Sequence, residues 1–254
     1  MVAAISMVKD EADVVERTVR HMLGQVDLVI VADNGSTDGT YELLQGIRHR
    51  NLIVLRDDEV GYYQSQKMTA LAVEAAELYA AWVVPFDADE VWYSPHGRIG
   101  TILDALPASV ATAPARLFDH VPTANDPGGH PFDAIGWRRP DPAPLPKVAA
   151  RTRLPVTIEQ GNHAATFATE TADPDLLVVR HYPYRSAEQM VRKACNGAAA
   201  YAATDLPEHE GQHWRDYGRI VAEKGEEALH TVFREWFWSA DPAGDGLVFD
   251  PCPV

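Results

Sequence analysis

The 254-residue chain is 46% hydrophobic and 23% charged, as a globular protein is, and its length indicates one large domain or two small ones. Its net charge of −15 argues against nucleic acid or an anionic membrane as main partner, since both require clustered lysine and arginine. Cys195 and Cys252 lack metal-ligand spacing, and no apolar run approaches the ~20 residues that span a bilayer. We therefore expect a cytoplasmic protein with no signal peptide and no transmembrane segment.

The first hundred residues alternate short apolar runs with segments of helical periodicity. The predicted strands are 3–8, 27–32, 51–55 and 82–86. The predicted helices between them are 11–23, 38–47 and 65–80. This alternation is typical of βαβ units and predicts an α/β fold with a mostly parallel sheet flanked by helices.

The remainder of the chain is less regular and richer in proline. The predicted strands here are 110–118, 148–152, 156–159 and 176–180. The predicted helices are 187–203 and about 214–238. Segment 119–146 reads as a long irregular excursion, and long loops in compact domains are often functional. The tail 251–254 is predicted to be frayed.

Acidic residues follow each predicted strand of the N-terminal half. Among them are Glu11 after the first strand, Asp33 at the end of the second, and Asp87 and Asp89 after the fourth. The carboxyl ends of parallel strands meet at one edge of a sheet, where ligands bind. Because crowded carboxylates repel each other unless a cation lies among them, the sequence predicts a divalent metal site at this edge.

The Asp87-Ala88-Asp89 motif is the sharpest of these signals. Alternate residues of an extended segment face the same way, so both carboxylates can hold one ion. Hard oxygen ligands suit Mg²⁺ or Mn²⁺, completed by substrate phosphates and water, whereas the simpler alternative is two solvated acids in a turn. Asp33 precedes the residues able to cap the next helix, Thr37 and Asp38, so capping does not explain it. Its carboxylate can accept a hydrogen bond from a base N–H or a ribose hydroxyl.

Four motifs follow one another along the chain: Lys9–Glu11, Asp33–Thr40, Gln64–Met68 and Trp82–Glu90. In this order they resemble glycosyltransferase family 2 with the GT-A fold, especially the small bacterial branch with an Asp-Ala-Asp-Glu motif. The likeness is looser at Gly161–His163, His181–Ser186, Glu188, Gln189 and Lys193. The resemblance covers about residues 1–120 well. It implies a single GT-A (Rossmann-like) domain over 1–254. Its half 1–106 would bind the nucleotide sugar, and its half 107–254 would supply the acceptor side and C-terminal helices.

The resemblance also implies a reaction, the inverting transfer of a sugar from a nucleotide diphosphate sugar. The acceptor is left open among a glycan, a lipid-linked molecule, a peptide and a small molecule. The implied nucleotide-sugar ligands are Glu11, Asp33, Lys67 and Asp87, and the implied ligands of Mn²⁺ or Mg²⁺ are Asp87, Asp89 and His181. The metal would stabilise negative charge on the leaving diphosphate. For Lys67 the alternative is a solvated helix lysine, and for His181 it is a local backbone contact.

An inverting reaction also needs a general base beside the acceptor hydroxyl. His163 lies in a Gly-Asn-His turn that related enzymes place near the acceptor, but Ala164 stands where many of them have Glu. The spare carboxylates of the acceptor half are Glu159, Asp119 and Asp133, of which we favour Glu159. Aromatic faces for stacking on a sugar or aglycone are offered by Trp137, Trp214, Trp236 and Trp238.

Two other interpretations stay open. A non-catalytic nucleotide-sugar or carbohydrate-binding protein would keep the fold and lack the base. A phosphohydrolase of the haloacid dehalogenase type also has Asp-x-Asp after an apolar strand, although there the motif typically follows the first strand of the sheet. The sequence does not predict the oligomeric state.

Overall fold

The computed structural model describes residues 1–153, 156–165 and 170–253. Its strands are β1 (Val2–Val8), β2 (Leu28–Asp33), β3 (Leu52–Arg56), β4 (Trp82–Pro85), β5 (Glu90–Tyr93), β6 (Val110–Asp119), β7 (Trp137–Arg138), β8 (Lys147–Arg151), β9 (Glu170–Thr171), β10 (Leu177–His181) and β11 (Val248–Phe249). Its helices are α1 (Val15–Gln25), α2 (Thr40–Gly46), α3 (Gln64–Glu77), α4 (Ile99–Asp104), α5 (Pro131–Ala134), α6 (Ala187–Ala202), α7 (Gln212–Lys224) and α8 (Glu226–Trp236), with a 3₁₀ turn at Gln160–Asn162.

The main sheet has the strand order β3-β2-β1-β4-β8-β6-β10-β5, and β9 pairs with β6. Strands β1 to β4 are mutually parallel, and β6 and β10 are parallel to each other. Strand β8 is antiparallel to β4 and β6, and β5 is antiparallel to β10. A separate antiparallel ribbon pairs β7 with β11. The predicted α/β class, a mostly parallel sheet flanked by helices, is confirmed.

Helices cover both faces of the sheet. Side chains alternate between the faces along β1, so Ala4 joins a core cluster with Val19 of α1, whereas Ile5 joins a second cluster with Leu71 of α3. A strand covered on both faces must be apolar throughout, which explains why the N-terminal strands are continuous apolar runs in the sequence. A third cluster, which includes Met190 of α6 and Phe233 of α8, holds the C-terminal helices together.

Strand direction determines which residues meet at one edge of the sheet. Strands β1, β2, β4, β6 and β10 all run the same way, so their C-terminal ends lie at this edge, together with the first residues of the opposed strands β5 and β8. His181 at the end of β10 is therefore aligned with Asp119 at the end of β6 and with Glu90 at the start of β5. Lys147 begins β8 at the same edge. We call this the functional edge, because open α/β sheets bind ligands there.

The structure departs from the sequence prediction in two elements of the C-terminal half. In place of a strand at 156–159, the described residues form an isolated bridge between Ile158 and Ala165. The single helix predicted at 214–238 is divided into α7 and α8 by Gly225, whose φ of +80° is a conformation that glycine adopts without steric cost.

The chain is anchored directly before the tail 251–254 that was predicted to be frayed. Strand β11 pairs with β7, and Asp250 binds both Arg138 and Arg180. Cys252 packs against the main core, and Val254 lies outside the described residues. None of the helices in the described part of the chain is long and apolar enough to cross a membrane.

Candidate active site

A cavity of about 550 Å³ opens at the functional edge, within the size range of small-molecule sites. Six of the carboxylates and histidines singled out from the sequence lie on its wall: Glu11, Asp87, Asp89, Asp119, His163 and His181. The wall is completed by residues from β6, from the start of β8 and from helices α6 and α7, including Trp214. Three other predicted residues, Asp33, Lys67 and Glu159, lie outside this wall.

Asp87 belongs to a buried charge cluster with Lys147 and Glu90. The Lys147 ammonium lies 2.7 Å from Asp87 Oδ2, 2.7 Å from Glu90 Oε1 and 2.9 Å from the Gly161 carbonyl oxygen. Asn162 donates a further hydrogen bond of 3.1 Å to Asp87 Oδ1. Burial raises the pKa of Glu90 to about 7 against the opposing attraction of Lys147. Two carboxylates are thus held at the edge by one interior cation.

Asp89 is held by a second group of cations. Lys193 of α6 donates a hydrogen bond to Asp89 Oδ2, and Arg185 Nη1 lies 3.8 Å from the same oxygen. Arg185 also binds Glu11 and, through two hydrogen bonds of 2.6 and 2.9 Å, Asp13. Burial alone would raise the pKa of Asp89, but Lys193, His181 and Arg185 hold it well below its usual range. The carboxylate is therefore ionised at neutral pH.

His181 is oriented by Asp119. The two side chains are joined by a hydrogen bond of 2.7 Å between Nδ1 and Asp119 Oδ1, and Nε2 lies 3.9 Å from Asp89 Oδ2. Burial opposes protonation of the ring, but the Asp119 hydrogen bond and the charge of Asp89 raise the pKa of His181. When Nδ1–H donates to a carboxylate, Nε2 is the nitrogen left to bind a cation, which is the usual arrangement of histidine ligands in metal sites.

Asp10 ties the end of β1 to α6 and to the loop after β2. Its φ of +53° is uncommon for a residue other than glycine. Its carboxylate accepts hydrogen bonds from the backbone N–H of Thr37 at 2.7 Å and from Asn196 Nδ2 at 2.6 Å. Helix α6 is thereby attached to the functional edge through Asn196.

Asp33 is fully buried beneath the cavity wall. Its Oδ1 accepts hydrogen bonds from Arg56 Nη1 at 3.0 Å and from the Ser36 backbone N–H at 3.2 Å, and Oδ2 has no hydrogen-bond partner within residues 1–153, 156–165 and 170–253. Lys67 binds Asp57 Oδ2 at 2.6 Å and the Glu59 carbonyl oxygen at 2.6 Å. Lys67 lies in α3, and the structure therefore places its ammonium against the loop after β3, apart from the Asp87 and Asp89 cluster.

The acceptor-side residues also separate. The Glu159 side chain is exposed, whereas His163 lies on the cavity wall with Nδ1 2.9 Å from the Pro146 carbonyl oxygen, and burial lowers its pKa. Asp133 binds Arg17 on the surface, so among the three spare carboxylates it is Asp119 that lines the cavity.

The sequence interpretation assigned no role to Lys147, Arg185 or Lys193. A signal was present in each case: Lys147 directly precedes the apolar run 148–150, and Arg185 and Lys193 lie within the looser part of the family resemblance. Their acidic partners are distant in the sequence: Lys147 is 60 residues from Asp87, and Lys193 is 104 residues from Asp89. Arg185 is 172 residues from Asp13 and 174 from Glu11, so only the folded structure shows these pairs.

The chain is similar in part to one sequence family and to several solved structures. The sequence model of glycosyl transferase family 2 matches residues 4–124, and no curated protein sequence matches the chain. A mannosyltransferase of Pyrobaculum calidifontis, solved with GDP-Man and Mn²⁺, is 16% identical, with a TM-score of 0.47 over 92% of this chain and 74% of its own. A TarS fragment of S. aureus is 15% identical, with a TM-score of 0.42 over 88% and 72%. Glucosyl-3-phosphoglycerate synthase of Mycobacterium tuberculosis, solved with Mn²⁺ and UDP, is 14% identical, with a TM-score of 0.42 over 82% and 81%.

The family match covers just under half of the chain and includes the acidic residues of β1, β2 and β4. The cations that contact them, Lys147, Arg185 and Lys193, all lie beyond it. Residues 4–124 are thus similar to glycosyl transferase family 2, and they supply most of β1 and strands β2 to β6 of the mostly parallel α/β sheet.

Proposed function

We propose that the protein is a metal-dependent, inverting glycosyltransferase that moves a sugar from a nucleotide diphosphate sugar to an acceptor hydroxyl. The observation that carries the proposal is the convergence of Glu11, Asp87, Asp89 and His181 on one cavity at the functional edge of a family 2 domain. The cavity has the volume of a small-molecule site and receives residues from both halves of the chain.

The donor nucleotide would occupy the side formed by the N-terminal half. Glu11 and Asp87 lie on the wall there, and the unpartnered Oδ2 of Asp33 is an acceptor for a base N–H or ribose hydroxyl once Arg56 moves aside. The side chain of Arg56 is 42% exposed and stacks over Tyr41, so it has room to move. Lys67, which is engaged by Asp57, supports the loop after β3 in this arrangement.

The donor chemistry of the site fits a divalent cation. No three His, Cys, Asp or Glu side chains in the described residues form a ready metal site. Asp89 and His181 nevertheless offer a carboxylate oxygen and an imidazole nitrogen, which Mn²⁺ accepts, and Asp87 is the next carboxylate on the wall. We propose that these three residues hold the metal. When bound, it would neutralise the negative charge that the diphosphate gains on leaving.

In the inverting reaction the acceptor oxygen forms a bond to the anomeric carbon while the bond from that carbon to the diphosphate oxygen breaks. The electron pair of the broken bond stays on the diphosphate, and a base takes the acceptor proton. Asp119 is the spare carboxylate on the cavity wall, so we propose it as base ahead of Glu159, whose side chain is exposed. His163 would contact the acceptor from the same wall.

Thermal unfolding with UDP, GDP, ADP and CDP tests the proposal. Ligand at 100 times its Kd stabilises the native state by about 2.7 kcal/mol, which for a chain of this length is a rise in Tm of roughly 5–10 °C. We expect that rise for at least one nucleotide with Mn²⁺ and a much smaller one with EDTA. Asp89→Asn should lose the metal-dependent part, whereas the control Asp216→Asn should keep it, because this exposed side chain of α7 does not line the cavity.

Each part of the proposal has its own contradicting result. If none of the four nucleotides stabilises the chain, the donor class is wrong. Equal shifts in Mn²⁺ and EDTA would remove the metal, and a product that keeps the donor's anomeric configuration, as read by NMR, would remove the inverting mechanism.

A further inference from the structure

Three cations contact the carboxylates of the candidate active site, but two of them are fully occupied by protein groups. Lys147 has three acceptors within 2.9 Å and a side chain that is 5% exposed. The Arg185 side chain is 3% exposed, and its guanidinium donates hydrogen bonds to Glu11, Asp13 and the Tyr182 carbonyl oxygen. Lys147 thus uses all three donors of its ammonium, and Arg185 uses four of the five donors of its guanidinium, with Nη1 also 3.8 Å from Asp89 Oδ2. Neither group is left with a donor that has no protein acceptor nearby.

Lys193 is bound differently. Its ammonium donates a hydrogen bond to Asp89 Oδ2, and its other neighbours are more distant: the Pro183 carbonyl oxygen at 3.4 Å and Glu11 Oε1 at 3.7 Å. Its side chain is 25% exposed and lies on the cavity wall. Lysine carries its charge on a flexible four-carbon stem, so this ammonium can exchange partners without a backbone movement.

The backbone that carries Lys193 is firmly anchored. Ser186 caps α6 by accepting a hydrogen bond of 3.1 Å from the Gln189 backbone N–H, and Met190 and Ala194 are fully buried in the C-terminal cluster. Asn196, on the same face of the helix three residues later, binds Asp10 at 2.6 Å. The helix therefore holds the root of the Lys193 side chain at a fixed distance from the acidic motif.

On the basis of the proposed function, we propose that Lys193 is a ligand of the donor diphosphate and that it exchanges Asp89 for a phosphate oxygen when the nucleotide binds. A divalent cation on Asp89 would face the Lys193 ammonium on the same oxygen, and like charges in contact repel. The arriving diphosphate supplies a new anion within reach of the released ammonium. In the free protein the Lys193 ammonium thus binds Asp89, and in the nucleotide complex it would bind a phosphate oxygen.

This exchange makes two predictions of opposite sign for Lys193→Met. Removal of the competing ammonium should tighten the binding of Mn²⁺ alone, by roughly three- to tenfold. The affinity for the preferred nucleoside diphosphate in the presence of Mn²⁺ should fall roughly ten- to a hundredfold, the value of one charged hydrogen bond. The affinity for the matching nucleoside, which has no phosphate, should not change. Lys193→Arg should restore most of the diphosphate affinity.

Isothermal titration of the full chain with Mn²⁺, with nucleoside and with nucleoside diphosphate measures all three affinities. Lys224→Met, in the last turn of exposed α7, is the matched control and should bind every probe as the native chain does. A purely structural role for Lys193 would lower the affinity for Mn²⁺ and for nucleoside as well, and would overturn the inference. So would an unchanged diphosphate affinity in Lys193→Met. If the native chain binds no nucleoside diphosphate, the proposed function itself fails, and the inference fails with it.

Discussion

The buried cation of the acidic motif provides a direct test of the charge arrangement at the functional edge. Lys147→Met keeps the length of the side chain and removes an ammonium that contacts Asp87, Glu90 and the Gly161 carbonyl oxygen. Because Lys147 lowers the pKa of Glu90 against the effect of burial, its removal should raise that pKa above its present value of about 7.

The cost of the substitution should depend on pH. A carboxyl whose pKa is raised by folding stabilises the folded state below its unfolded pKa of 4.5, and this stability is lost as pH rises through the folded pKa, here about 7. Between pH 4.5 and pH 7 this carboxyl therefore reduces the free energy of unfolding of the native protein by about 3 kcal/mol. Without Lys147 the loss continues above pH 7 at about 1.4 kcal/mol per pH unit. We expect a cost of about 1–2 kcal/mol at pH 5, from lost hydrogen bonds, and about 3 kcal/mol at pH 8.

Urea unfolding followed by tryptophan fluorescence, in EDTA at pH 5 and pH 8, measures the difference. The double variant Lys147→Met/Glu90→Gln should lose the pH dependence, since the titrating carboxyl is gone. Lys67→Met removes a lysine that is paired with Asp57 away from the motif, and should cost the same at both pH values. Equal costs for Lys147→Met at pH 5 and pH 8 would show that Glu90 does not titrate beside Lys147.

Two further predictions concern the roles assigned to carboxylates. If Asp119 is the base, Asp119→Asn should reduce turnover at saturating donor and Mn²⁺ by roughly 10²–10⁴-fold, whereas Glu159→Gln should leave turnover near normal; the reverse result in initial-rate assays would restore Glu159 as the base. Asp33→Ala should weaken the binding of free nucleoside in titration calorimetry whether or not Mn²⁺ is present, and an unchanged nucleoside affinity would remove Asp33 from the donor site.

The N-terminal half of the fold could be predicted because the pattern of apolar residues within each short segment indicates its secondary structure. Apolar runs that are buried on both faces, separated by helices with one apolar stripe, have a unique pattern in the sequence, as in β1 and α1. The strand β5 escaped prediction because Glu90 and the aromatic residues after it do not alternate in the usual way; the strand lies at the edge of the sheet beside β10, and Glu90 and Trp92 are nevertheless buried. The division of α7 from α8 depends on one glycine inside a continuous helical pattern.

Local sequence pattern predicts only the acidic side of the candidate site, whereas His181 and His163 were proposed from the family resemblance. Asp87 and Asp89 follow a strand and are therefore visible as strand-end residues, and the order of parallel strands brings Glu11 beside them. His181 and Asp119 required knowledge that β10 lies next to β6, which no local pattern contains. The partners of the carboxylates come from the antiparallel strand β8 and from α6, elements whose place in the sheet order is not set by the chain's alternation.

The proposed donor is an anion, and the protein that would bind it is acidic. A chain with a net charge of −15 repels a diphosphate at long range, so the long-range field does not favour association. Attraction must instead arise within the cavity, where Lys147, Arg185 and Lys193 compensate the carboxylates of the motif. Glu90 reduces the negative charge further, since a carboxyl with a pKa of about 7 is protonated about half of the time at neutral pH. The cations thus compensate part of the negative charge of the site, and a metal and a diphosphate that bind together add charges of opposite sign.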